Sequence, residues 1–71
     1  MSLGSAIRTI RQLAFLTQED FAKELSVALC TVNRWELDRS KPNMKAMRAI
    51  KAFCDSNNLP YELIEAEWLP K

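Results

Sequence analysis

Between Leu16 and Pro42 the chain carries the start signals of two helices so close together that only a tight turn fits between them. No other feature constrains the fold as strongly. Thr17 is placed to cap a helix, and Asp20 three residues later completes a pattern close to a capping box. Leu16 and Phe21 occupy the two positions of a hydrophobic staple, and the apolar face continues through Ala22 and Leu25. Ser26, Val27 and Ala28 form the expected turn. A second helix follows from about Leu29 to Glu36 or Leu37, with Val32 and Trp35 spaced to face a core. Leu29, Cys30, Asn33, Arg34 and Leu37 are left on the opposite face. Asp38 is among the residue types that tolerate a left-handed exit from a helix.

Helical periodicity extends to both sides of this segment. A first helix is expected over Ser5 to Ala14, with Ala6, Ile7, Ile10, Leu13 and Ala14 on one face and either Ser5 or Ser2 as its cap. A fourth opens at Pro42 and Asn43, with Asn43 as N-cap and Met44, Met47, Ile50, Phe53 and Cys54 inward. DSNN reads as a break. A last helix is expected from about Pro60 to Trp68, because proline suits a first helical turn. With a single glycine and no alternating β-branched run, residues 1–71 are expected to form one all-α domain of five short helices.

Formal net charge is only +1, but its distribution is uneven: residues 1–51 carry a net +4 and residues 52–71 a net −3. The basic part contains the paired helices, as a phosphate-binding surface requires. Enzymatic chemistry finds little to work with. There is no histidine, no nucleophile paired with a base, and the single glycine rules out a phosphate-cradling loop. Two distant cysteines without histidine do not complete an ordinary zinc site, so neither metal nor cofactor is expected. Cys30 and Cys54 are read as reduced thiols of a cytoplasmic protein, and no apolar run is long enough for a membrane span.

The ordered set Leu16-Thr17-Gln18, Phe21-Ala22-Lys23, Leu25, Val27, Thr31-Val32, Trp35-Glu36 and Pro42 resembles the helix-turn-helix of the Cro/cI-like repressors, the XRE family. The flanking helices fit that family's five-helix domain, so the resemblance covers nearly the whole chain. It implies a transcriptional regulator, a repressor in this reading, whose recognition helix, about 29–37, enters the major groove of double-stranded DNA. Carried over residue by residue, it places Thr17 and Gln18 at the start of the helix that meets a phosphate. Leu29, Cys30 and Arg34 fall in the base-reading slots, with Asn33 a further adenine or phosphate partner. Arg39 and Lys41 fall in the loop that clamps the backbone, and Arg11 with Glu36 forms a structural ion pair.

The chain also departs from the family pattern. Ala28 stands where a capping Ser or Thr is usual, so the recognition helix is expected to fray or to begin earlier, at Ser26. Phe15 and Asp38 stand where the family often has glycine. Leu29 and Cys30 replace the usual polar readers, which leaves Arg34 as the main direct reader, through guanine O6 and N7. The alternative reading is a protein-interaction module, such as an antitoxin or accessory subunit, that docks through the apolar edge formed by Leu29, Cys30 and Leu37. A weak homodimer is expected through Leu63, Ile64, Trp68 and Leu69, because one small helix offers few contacts and such proteins bind paired half-sites.

Overall fold

The computed structural model describes residues 1–69. Among them the chain forms five helices and no strand: α1 (Leu3–Leu13), α2 (Gln18–Leu25), α3 (Leu29–Glu36), α4 (Met44–Ser56) and α5 (Glu62–Trp68). The core collects Ala6, Ile7 and Ile10 from α1, Phe21, Ala22 and Leu25 from α2, Val32 and Trp35 from α3, Met47, Ile50 and Cys54 from α4, and Ile64 from α5. Phe21 and Phe53 meet edge to face with centroids 5.4 Å apart, tying α2 to α4.

Three of the five helices, α1, α2 and α4, start where the chain supplies a side-chain cap; α3 and α5 do not. Ser2, rather than Ser5, caps α1, and the two serines form a reciprocal box: Ser5 N donates to Ser2 Oγ at 3.1 Å and Ser2 N to Ser5 Oγ at 3.0 Å. The Thr17 hydroxyl accepts from Asp20 N at 3.1 Å, and Asn43 Oδ1 accepts from Ala46 N at 2.9 Å. Ala28 has no polar side chain to offer, and α3 starts at Leu29 rather than at Ser26. Val27 instead sits half-buried beside the core, and Ser26 is already committed to ending α2. Packing of Val32 and Trp35 holds the helix without its cap.

The helix ends follow one rule. Phe15, Ser26, Asp38 and Asn58, one after each of the first four helices, adopt left-handed φ between 54° and 59°, and none is glycine. In every case the next amide reaches five residues back, as in a Schellman motif: Leu16 to Arg11, Val27 to Ala22, Arg39 to Arg34 and Leu59 to Cys54. These turns end each helix sharply and let the short helices fold back on one another through connections of three to seven residues.

Several expectations are corrected. Leu13 is 50% exposed and Met44 59% exposed, although both were expected inside. At about 100° per residue each lies roughly 100° from the middle of its helix's buried stripe, so a neighbour's reach decides its fate. α4 continues through Asp55 and Ser56, leaving Asn57 and Asn58 as the break. α5 starts at Glu62 because Pro60 and Tyr61 are spent on a tighter turn, in which Leu63 N bonds Pro60 O at 3.1 Å. Ile64 is fully buried, and Trp68 donates from Nε1 to Pro42 O at 2.6 Å. These two residues, expected at a dimer interface, close the protomer on itself; Leu69 stays 46% exposed. No helix among the described residues is long and apolar enough to cross a membrane.

Candidate nucleic-acid interface

α2 and α3 are locked together beneath the exposed face of α3 by one buried carboxylate. The Glu36 side chain is fully buried, and its oxygens accept four hydrogen bonds. Arg11 donates to it twice, from Nε at 2.7 Å and from Nη2 at 3.0 Å; Gln18 Nε2 donates at 3.0 Å and Arg8 Nε at 3.3 Å. Burial alone would push this carboxyl group up. The bonds from Arg11, Gln18 and Arg8 outweigh it and hold the group below the ordinary glutamate range. The Arg11 guanidinium is raised in turn by its bonds to Glu36. Arg11 Nη1 also donates to Leu16 O at 2.9 Å, so one guanidinium ties α1, the turn after it and the end of α3. The expected Arg11–Glu36 pair is present, and Arg8, which the sequence reading passed over, is its second cation.

Gly4 explains how α1 approaches α3 so closely. A Cβ there would lie 2.6 Å from Glu36 O and 2.7 Å from Trp35 O, so only glycine lets the first turn of α1 press on the last carbonyls of α3. Gly4 N donates to Asp38 Oδ1 at 2.8 Å, which brings a carboxylate to the positive start of α1. Asp38 therefore both ends α3 and anchors it.

The other face of α3 is open. Leu29 is 45% exposed, and Cys30, Asn33 and Arg34 are exposed beside it. Arg34 lines an open groove of about 450 Å³ together with Lys41 and Lys45, walled by Val27, Thr31 and the first turns of α4. Among the described residues neither Arg34, Arg39 nor Lys45 is in an ion pair, so their charge is available to a partner. Arg39 occupies the place after a helix end that Leu16, Val27 and Leu59 fill elsewhere with half-buried apolar side chains. At this one turn the chain exposes a cation instead. Lys45 was missed by the sequence reading. Its signal is a lysine in the first turn of α4, where the helix dipole disfavours positive charge.

Other expected site residues are already engaged. Thr17 spends its oxygen on the α2 cap. Gln18 is half-buried, donating to Glu36 and accepting from Asn33 Nδ2 at 3.4 Å. Lys41 leans on α5, with its ammonium 3.4 Å from Trp68 O and 5.5 Å from the Trp68 ring centre. Cys30 is an exposed free thiol, while Cys54 is buried and its pKa is pushed up to about 11, mainly by burial. No group of three or more potential metal ligands occurs among the described residues.

Two short helices joined by a three-residue turn, the second presenting an open face rimmed with unpaired cations, define a DNA-binding helix-turn-helix domain. The chain belongs to the helix-turn-helix family of XRE type, whose family profile matches residues 7–57. It is similar to the HTH-type transcriptional activator BcrR of Enterococcus faecalis, at 30% identity over 53 residues. That stretch covers 75% of this chain and 26% of the relative, so the chain spans about a quarter of that protein's length. No solved structure matches it.

Proposed function

We propose that this domain binds double-stranded DNA in a sequence-dependent way for transcription regulation, with α3 in the major groove. One observation carries the reading: Arg34 on the outward face of α3 shares a groove with Lys45, Arg39 is exposed just beyond the helix, and among the described residues none of the three is in an ion pair. Positive charge gathered on one face in this way suits an anionic partner. Arg34 has the length and the paired N–H groups to read a guanine edge. Leu29 and Cys30 pack against thymine methyl groups, and Arg39, Lys41 and Lys45 meet phosphates. The relative's name supports a regulatory role. Because it is called an activator, the reading carries no sign of regulation. Two copies on a paired site would supply the contacts that one α3 lacks.

The test is the salt dependence of binding to random duplex DNA, followed by selection of preferred sequences. Three phosphate-contacting cations predict that log affinity falls against log salt with a slope of about −3. Arg34→Ala is expected to cost about 1–3 kcal/mol on the selected sequence and to relax preference there. Absence of duplex binding at low salt would refute this reading. It would favour instead a protein partner docked on the exposed Leu29, Cys30 and Leu37.

A further inference from the structure

The hydrogen bonds beneath α3 form a relay with a direction. Ionised Glu36 can only accept, so the amide of Gln18 must turn its NH2 group towards it, as the 3.0 Å Gln18 Nε2–Glu36 Oε1 bond shows. This points Gln18 Oε1 towards α3. That oxygen also can only accept, so Asn33 turns its own NH2 group inward, at 3.4 Å. A buried charge thereby orients two amides in series, and the second stands on the exposed face of α3 between the expected base-reading residues. What Asn33 has left for a partner is its carbonyl Oδ1 and one N–H. In the major groove this pair matches adenine, which offers the N6 donor and the N7 acceptor, whereas guanine offers two acceptors.

We propose that Asn33 reads an adenine and that Gln18 is its positioning residue, held in register by Glu36. The inference rests on the DNA-binding reading above and replaces the phosphate contact expected for Gln18 with an indirect role in specificity. Without Gln18, Asn33 can turn both of its N–H groups outward and offer them to guanine. Discrimination between the purines then falls, while contacts to phosphate persist.

The test is a double-mutant cycle of Gln18→Ala and Asn33→Ala. Affinity is measured on the duplex selected by the unaltered protein, on the same duplex with adenine changed to guanine at each position in turn, and on random duplex. One position is expected to show a preference for adenine of about tenfold, within the range of a bidentate amide–base contact. Each single variant loses it, and the double variant loses no more than either, which marks the two residues as one unit. Gln18→Met, which keeps the side-chain length, behaves as Gln18→Ala, and circular dichroism confirms that all variants fold. In the free protein, Gln18→Ala shifts the Asn33 side-chain amide resonances. If Gln18→Ala weakens all duplexes alike, flattens the salt dependence and leaves the adenine preference intact, Gln18 is a phosphate contact and the relay is refuted. Additive losses in the cycle refute it equally. Failure of the unaltered protein to bind any duplex at low salt overturns the DNA reading itself, and is distinguishable because random-duplex binding is then absent too.

Discussion

Replacing Glu36 by glutamine removes one charge while leaving the shape of the buried centre almost unchanged. The carboxylate is fully buried and accepts bonds from Arg11, Gln18 and Arg8; Arg11 itself is only 15% exposed. In Glu36→Gln the glutamine carbonyl retains one acceptor, but its NH2 group faces guanidinium donors that have no lone pair to offer. Breaking a buried ion pair from one side typically costs about 3–5 kcal/mol. Because Arg11 keeps some solvent and its bond to Leu16 O, the low end, about 3 kcal/mol, is expected here. For a domain of this size total stability is on the order of 4–10 kcal/mol, and each kcal/mol moves the midpoint by about 4–8 °C. Thermal unfolding at neutral pH should therefore fall by roughly 12–24 °C.

The pH dependence gives a second readout of the same group. The folded-state pKa of Glu36 lies below its ordinary value of 4.5, so its contribution is fully present above that value and is lost as pH falls through the folded pKa. The stability gap between the unaltered protein and Glu36→Gln should stay constant from pH 7 to about 5 and narrow below that. A cost under about 1 kcal/mol in urea titrations, or a gap that does not narrow in acid, would show that Glu36 is not the charge on which α1, α2 and α3 converge.

Four further substitutions probe the turns, the close approach and the missing cap, each by urea or thermal unfolding. Gly4→Ala gains about 1 kcal/mol of helix propensity but forces α1 off the backbone carbonyls of α3, so a net loss of about 1–3 kcal/mol is expected. Phe15→Gly should stabilise by about 0.5–1 kcal/mol, because Phe15 is 95% exposed, packs on little, and sits at φ 59°. Asp38→Gly relieves the same backbone strain yet loses the bond to Gly4 N, and should destabilise instead. Ala28→Ser should add about 1 kcal/mol by supplying the missing cap to α3, and no gain would mean that the start of α3 already finds other partners.

Much of this architecture was legible in the chain because it is local. Leu16, Thr17 and Phe21 specify the start of α2 through contacts spanning a single turn, and Asn43 does the same for α4. Apolar spacing of Val32 with Trp35 and of Met47 with Ile50 identifies the buried faces. Boundaries shifted where neighbouring signals competed, as between Ser2 and Ser5 or at Pro60, where two residues went into a turn before α5. Helix ends were harder to read, since none of the four left-handed residues, Phe15, Ser26, Asp38 and Asn58, is a glycine.

At the candidate interface, residue types and order already placed Arg34, Arg39, Asn33 and Leu29 on or beside one exposed helix face, because a period of 3.6 settles which side chains share a side. Which of them are free is a long-range matter. Gln18 and Lys41 look equally available in the chain, yet one is drawn to Glu36 and Asn33 and the other to Trp68, at separations of 15 to 27 residues. The reason Gly4 must be glycine lies 34 residues away, at Asp38 and the carbonyls that precede it. Interactions within one or two turns thus specify the helices and their apolar faces, and the order of residues along them marks the family. Tertiary structure alone decided that a single buried carboxylate joins three helices, that Ile64 and Trp68 are spent inside the protomer, and how the amide of Asn33 is turned. A buried charge takes whichever donors packing brings within reach, and no local pattern records them.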